Sequence, residues 1–330
     1  MAPPGPTPAL IPPEDAHVTG FPEVRSGAGS FRSRVRPLLP YYRYRAAAAL
    51  ARGVPEPVAR AGALAIGLTL HRCLGGRRAI VARHLRRVLG PDVSEHEIDR
   101  QVRSTFASYA RYWMESCRLP GTVGPWVDER MTSTGVDQFD KARAEGRGVI
   151  LALPHLGGWD HGGAWVAWLG HRITAVVEPV EPPELFEWIA GLRRAVGLDI
   201  VPLGPGAGTS LLRKLRAAEI VALVCDRDIG GGGVEVEFFG ERTTLPGGPA
   251  TLALRTGSYL LPTAVYFEGP KGHHSLVGQP LPVERTGRLR DDVARVTQDL
   301  AYALEDLIRR APDQWHMMQP NWPSDRDEPV

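Results

Sequence analysis

Residues 148–177 read GVILALPHLGGWDHGGAWVAWLGHRITAVV, and their order decides the fold. VILAL is a short β-rich run that stops at Pro154; a helix is expected from about Gly158, and the chain turns strand-like again at ITAVVE. The alternation continues through a helix from about Pro183, the run LDIVPL, a helix from about Thr209 and the run IVALVC. Strand after helix after strand is the signature of parallel α/β architecture. Further strands near 234–239, 260–267 and 275–277 are expected to extend the sheet. A last helix carries Val293, Val296, Leu300, Leu304 and Leu307 at helical spacing. The expected fold is thus α/β, with a central mixed, largely parallel sheet flanked by helices. No internal repeat interrupts it.

Upstream of this core the pattern is helical. A capping box formed by Ser94 and Glu97 opens a helix whose Val102, Phe106, Tyr109 and Trp113 recur as a buried stripe. From Arg36 to about Val88 an apolar face (Leu64, Leu68) alternates with Arg77, Arg78, Arg83, Arg86 and Arg87. Such helices can lie in a lipid interface with arginines toward anionic headgroups, or pack as an ordinary amphipathic pair. Residues 1–36 are rich in Pro, Gly, Ser and Arg without periodicity and are expected to be a disordered tail. The layout expected is one domain over 37–325, helical and membrane-docking over 37–147 and α/β over 148–325, with a short tail at 326–330.

Composition narrows the function classes. The 330 residues are 43% apolar, enough for a large core. With 39 basic and 37 acidic residues the net charge of +2 gives no reason to expect nucleic acid as a partner. Only Lys141, Lys214 and Lys271 are lysines, so the positive charge is almost all guanidinium, which suits phosphate headgroups; a biased coding sequence would give the same result. Cys73, Cys117 and Cys225 are widely spaced, which fits a reducing compartment. The start MAPPGPTPALIPPED lacks the features of a signal peptide. The longest apolar run, 61–70, is half of the ~20 residues a membrane span needs, so attachment to a membrane would be peripheral.

Two constellations can carry chemistry. The first is His155 and Asp160, set in the order strand, Pro-His, Gly-Gly, Trp-Asp, helix. A histidine at a strand end can take a proton from a hydroxyl near neutral pH if a carboxylate holds its other nitrogen in the right tautomer. Gly157 and Gly158 would let another molecule approach the backbone. The second is Cys225-Asp226-Arg227-Asp228 at the tip of IVALVC. Asp226 or Asp228 can reach His155 across adjacent strand ends, unless the four charges form a structural ion network. If both strands are parallel, the tips carrying His155 and Asp226 leave the sheet on one edge, which favours Asp226 as charge partner. Asp160, about a turn into the helix, would then bond the loop amides.

Other chemistries fit less well. There is no G-x-S-x-G, and GPGAG at 204–208 lacks the Lys and Ser/Thr of a P-loop. His155, Asp160 and His161 do not share one helical face, so no metal is expected. His273 and His274 are expected in a solvated loop, and Cys225 in packing.

LPHLGGWD, then VEVEFFGERTTLPGGPATLALRTGSYLLP, and finally WHMMQPNW occur in an order that resembles the lipid A acyltransferase branch of the lysophospholipid acyltransferase superfamily. Over roughly 37–325 the chain is most similar to bacterial phosphatidylinositol mannoside acyltransferases. The resemblance implies acyl-CoA as co-substrate, no cofactor, and a mannosyl hydroxyl of a phosphatidylinositol mannoside as acceptor, at the cytoplasmic face of the membrane. It implies His155 as general base and Asp160 as the acid partner of the same motif. Glu178 and Arg193 fall among polar residues around the acceptor, and Asp226 where mannoside acyltransferases carry a glutamate, one methylene longer. Arg227 and Asp228 join the substrate-binding set, with an arginine near Arg227 or backbone amides stabilising the oxyanion. A monomer is expected. The alternatives are a lysophospholipid or lipid A-type acceptor, or a non-catalytic lipid-binding protein on the same fold.

Overall fold

The computed structural model describes residues 31–121 and 124–327, with side chains over 38–121 and 124–326. Four helices come first: α1 (Phe31–Gly53), α2 (Glu56–Cys73), α3 (Gly75–Leu89) and α4 (Glu95–Arg118). A short α5 (Pro125–Asp128), β1 (Met131–Thr134) and α6 (Asp137–Ala144) lead into the alternating core. That core runs β2 (Val149–Leu153), α7 (Trp159–Trp168), β3 (Ile173–Val177), α8 (Pro183–Arg194), β4 (Leu198–Pro202), α9 (Ala207–Arg216) and β5 (Ile220–Val224). Then come β6 (Val234–Phe238), β7 (Glu241–Leu245), α10 (Gly248–Thr256), β8 (Tyr259–Glu268), β9 (Gly272–Val277), α11 (Leu289–Arg309) and α12 (Ser324–Asp327).

Seven strands form one sheet in the order β1-β9-β8-β2-β5-β3-β4. The five from β8 to β4 are parallel; β9 runs antiparallel to β8, and β1 parallel to β9. In the β2/β5 register Leu153 pairs with Val224, so the segments after both strands leave the sheet side by side. Because successive side chains face opposite ways, the sheet divides two cores. Val149, Leu151, Leu153, Ile173 and Ile220 face the α6–α7 side, and Ile150, Ala152, Val221, Leu223 and Leu260 face the side covered by α10 and α11.

The structure departs from the sequence expectations at several places. The strand over 234–238 does not extend the sheet: β6 pairs with β7 in a separate hairpin. His273 is not in a solvated loop; it is the second residue of β9 and is buried. β1, the polar edge of the sheet, lies inside the segment expected to be helical. Of the expected tail, residues 1–30 lie outside the described residues, and α1 begins at Phe31; of the segment 326–330, residues 328–330 lie outside them too. Ser94 Oγ accepts the Glu97 amide as a cap should, but the Glu97 carboxylate binds Arg100 and Gln101 instead of closing the box.

Several arginines of α3 are engaged by partners within the protein, although Arg77, Arg78 and Arg86 are exposed. Arg77 donates to the Met318 carbonyl, Arg86 to Glu95, and Arg87 to both Glu241 and Asp325. Uncovered apolar surface lies instead on α1 and α2. Helix α2 packs on α4 through Ala59, Ala63 and Gly67, where a Cβ on Gly67 would come within 2.7 Å of the Phe106 carbonyl. Its larger side chains Val58, Leu64 and Ile66 remain exposed, as does Leu50 of α1. No helix among the described residues is long and apolar enough to cross a membrane.

Candidate active site

The turn after β2 is fixed by its two glycines, though not for the reason the sequence suggests. Gly157 sits at φ +62°, and a Cβ there would collide with the carbonyl of Val265 on β8. Its amide donates to the Gln314 carbonyl (2.9 Å) and the Gly158 amide to the Val265 carbonyl (2.8 Å). A Cβ on Gly158 would lie 2.7 Å from His273 Cδ2. The close approach that demands glycine is therefore made by the protein itself, which clamps the histidine's backbone.

His155 and Asp226 meet across the two strand tips. Asp226 is fully buried and its Oδ1 lies 2.6 Å from His155 Nδ1, while Oδ2 accepts the His155 amide (2.9 Å) and Trp315 Nε1–H (2.8 Å). Burial pushes this carboxyl up, but the charge of His155 and the three donors outweigh it, so Asp226 is held below the ordinary aspartate range. An ionised carboxylate only accepts, so in the neutral imidazole the proton sits on Nδ1 and Nε2 presents a lone pair. No described residue hydrogen-bonds Nε2, and the imidazole keeps 29% of its surface exposed. This is the geometry of a general base.

Asp160 stands apart from this pair and does not bond the loop amides as expected. Its carboxylate receives Arg193 Nε (2.7 Å) and the Tyr112 hydroxyl (2.9 Å), tying α7 to α8 and α4. Burial opposes the charge on Arg193, but Asp160 and Tyr112 raise its pKa all the same. The Tyr112 hydroxyl is raised well above its usual value, chiefly by burial and then by the Asp160 charge. Asp160, expected beside His155, and Arg193, expected around the acceptor, thus form a buried ion pair.

Arg227 Nη2 donates to Glu178 (2.8 Å) across the tips of β5 and β3, and its buried Nε has no partner among the described residues. Asp228, expected in the substrate-binding set, instead shapes the loop that follows β5. It accepts the amides of Gly230, Gly231 and Gly233 and the Thr244 hydroxyl.

Sequence reasoning missed the contribution of the C-terminal segment. Besides Trp315, Asn321 Nδ2 donates to the Asp226 carbonyl (3.0 Å) and the His316 amide to the His155 carbonyl (2.7 Å). The His316 ring bonds Ser108, and its pKa falls to about 3, first through burial and then through the charge of His155. WHMMQPNW carried the family likeness, yet nothing in its spacing tells which strand tip it meets. A second missed cluster lies behind Gly158, where Glu115, His161 and His273 place donor atoms within 4.8 Å of one another. The two imidazoles stack at 3.9 Å and 16°, so their in-plane lone pairs run side by side instead of converging. A metal ion there would need both rings to turn, and Arg111 already pairs with Glu115.

Beneath Asp160 and Arg193 a narrow, mostly apolar slot of about 70 Å³ runs between α7 and the sheet. Ala175 and Ala222, in the middle of β3 and β5, leave it room, while Gly162 and Gly163 let the helix close onto Val265 and Leu198.

The phosphatidylinositol mannoside acyltransferase of Mycolicibacterium smegmatis is 35% identical over 285 residues, covering 86% of this chain and 91% of the relative. The protein of the same name from Mycobacterium tuberculosis is 37% identical over 251 residues, 74% of this chain and 77% of its own. The lipid A biosynthesis acyltransferase of Haemophilus influenzae is 23% identical over 229 residues, 68% of this chain and 69% of that protein. The sequence profile of bacterial lipid A biosynthesis acyltransferases matches residues 31–324, and the chain belongs to that acyltransferase family.

Proposed function

We propose that this protein transfers a fatty acyl group from acyl-CoA to a mannose hydroxyl of a phosphatidylinositol mannoside. The observation that carries the mechanism is the buried Asp226 carboxylate on His155 Nδ1, which leaves Nε2 as the base. The acceptor hydroxyl gives its proton to Nε2 as its oxygen bonds to the thioester carbonyl carbon. Asp226 stabilises the imidazolium so formed. The carbonyl π electrons move onto oxygen, where backbone amides or the guanidinium of Arg227 act as donors. Collapse of this intermediate expels the CoA thiolate, which takes the proton from Nε2. The products are the ester and free CoA. Direct transfer fits a site whose one cysteine, Cys225, is buried with its thiol pKa raised by burial and by Asp226. The slot beneath Asp160 receives the acyl chain.

The acceptor is supported by the two mycobacterial relatives, and the protein works on the cytoplasmic face of an anionic membrane, resting there on the uncovered apolar side chains of α1 and α2. The test is transfer from radiolabelled palmitoyl-CoA to three acceptors: phosphatidylinositol mannoside, a lysophospholipid and a lipid A precursor. Label is expected on the mannoside and lost in His155→Ala. A His155→Ala enzyme with near wild-type turnover would end the mechanism, label on another acceptor would replace the substrate, and binding without turnover would leave a lipid-binding protein.

A further inference from the structure

The slot has an upper end and a lower end. Asp160 and Arg193 mark the upper one, beside the C-terminal tips of the strands, with Val177 and Val224 on its walls. From Val177 the slot follows β3 down to Ile173, four residues or roughly 13 Å at the rise of a strand. Ala175 and Ala222 leave room along its middle. At the lower end the lining changes: Phe139 of α6, 3% exposed, contributes an aromatic ring beside Ile173. That ring meets His171 edge-on, at 5.4 Å and 78°. His171 is half-buried and precedes β3, so Phe139 separates the bottom of the slot from a residue that reaches solvent.

We infer that Phe139 is the floor of the acyl slot and sets the length of the fatty chain the enzyme accepts, provided the slot receives the acyl chain as proposed above. An apolar slot gains affinity with each methylene it covers, up to the point where the next one meets a packed ring. Each buried methylene contributes roughly fourfold in kcat/KM, which makes the position of the floor a sharp selector. A smaller residue at 139 lowers the floor toward His171, and a larger one raises it. A large residue at Ala222, halfway along, shortens the slot without touching Phe139.

The experiment uses the full chain, purified phosphatidylinositol mannoside and a series of straight-chain saturated acyl-CoA donors from short to long. The preferred donor is read as the maximum of kcat/KM. Phe139→Leu is expected to move that maximum about two methylenes longer and Phe139→Trp to move it shorter, while Ala222→Leu shortens it most. Circular dichroism checks folding, and if the leucine variant is unfolded, Phe139→Met is read in its place. An Ala222→Leu enzyme that is folded and active with an unchanged profile would show that the chain lies elsewhere, which removes the slot itself. Shortening by Ala222→Leu with wild-type profiles from folded Phe139 variants would keep the slot and overturn Phe139 as its floor.

Discussion

Replacing Asp226 by Asn removes one charge and leaves the shape almost unchanged, and the donors around it determine the outcome. Oδ2 accepts two groups that cannot do anything but donate, the His155 amide and Trp315 Nε1–H. In the variant the amide oxygen must therefore take the Oδ2 position, which puts the amide NH2 opposite His155 Nδ1. Nδ1 then becomes the acceptor, the ring proton moves to Nε2, and the base is lost in the tautomer it needs. The imidazolium also loses its counter-charge. Together these effects are worth up to about 10⁴ in kcat, or roughly 5.5 kcal/mol, as in other histidine–carboxylate enzymes. KM is expected to stay near wild type, since the buried carboxylate faces the protein. Transfer of labelled acyl groups gives the rate, and ¹⁵N chemical shifts of the His155 ring give the tautomer. A folded Asp226→Asn enzyme within tenfold of wild-type kcat, or one whose ring proton stays on Nδ1, would refute the reasoning.

Asp160→Asn strands the buried Arg193 guanidinium and is expected to cost about 3–5 kcal/mol of stability, visible as a lowered urea midpoint; a midpoint equal to wild type would show the pair to be dispensable. Burial, aided by His273, lowers the pKa of His161 to about 3, as burial and the His155 charge do for His316. In the unfolded chain both histidines protonate below about 6.5, so the unfolded state holds more protons between about 6.5 and 3. Their contribution is complete above that window and falls with pH inside it, by roughly 1.4 kcal/mol per pH unit for each ring; a urea midpoint unchanged between about pH 7 and pH 5 would contradict this. For the membrane, Leu64→Ser with Ile66→Ser removes two exposed apolar side chains and should weaken flotation on anionic vesicles about a hundredfold, roughly 3 kcal/mol; equal flotation would place the contact elsewhere.

The alternating core was legible because each strand is a short apolar run closed by turn residues, and parallel strands put His155 and Asp226 on one edge of the sheet; that β2 and β5 are neighbours is seen only in the strand order. The parallel direction of VILAL and IVALVC is what made Asp226, and not Asp160, the expected partner of the imidazole. What the sequence could not reveal depends on packing. The arginines of α3 have the spacing of a headgroup-facing stripe, but Arg77 and Arg87 are claimed by carbonyls and carboxylates more than 150 residues away along the chain. The run that forms β6 reads like a further member of the sheet because a hairpin strand and a sheet strand share one periodicity. Asp228 resembles Asp226 in composition and neighbourhood, and only the fold of the glycine-rich loop turns its carboxylate onto amides.

The segment 315–325 follows every strand in the order of synthesis, yet it supplies the indole that binds Asp226, the amide that binds the His155 carbonyl and, through Asp325, a partner for His84 and Arg87 of α3. The strands alone therefore leave the imidazole and the carboxylate short of the donors that hold them in register. That register depends on a strap of chain packed back against α3, so a lesion in that helix, far from the strand tips, can loosen the pair.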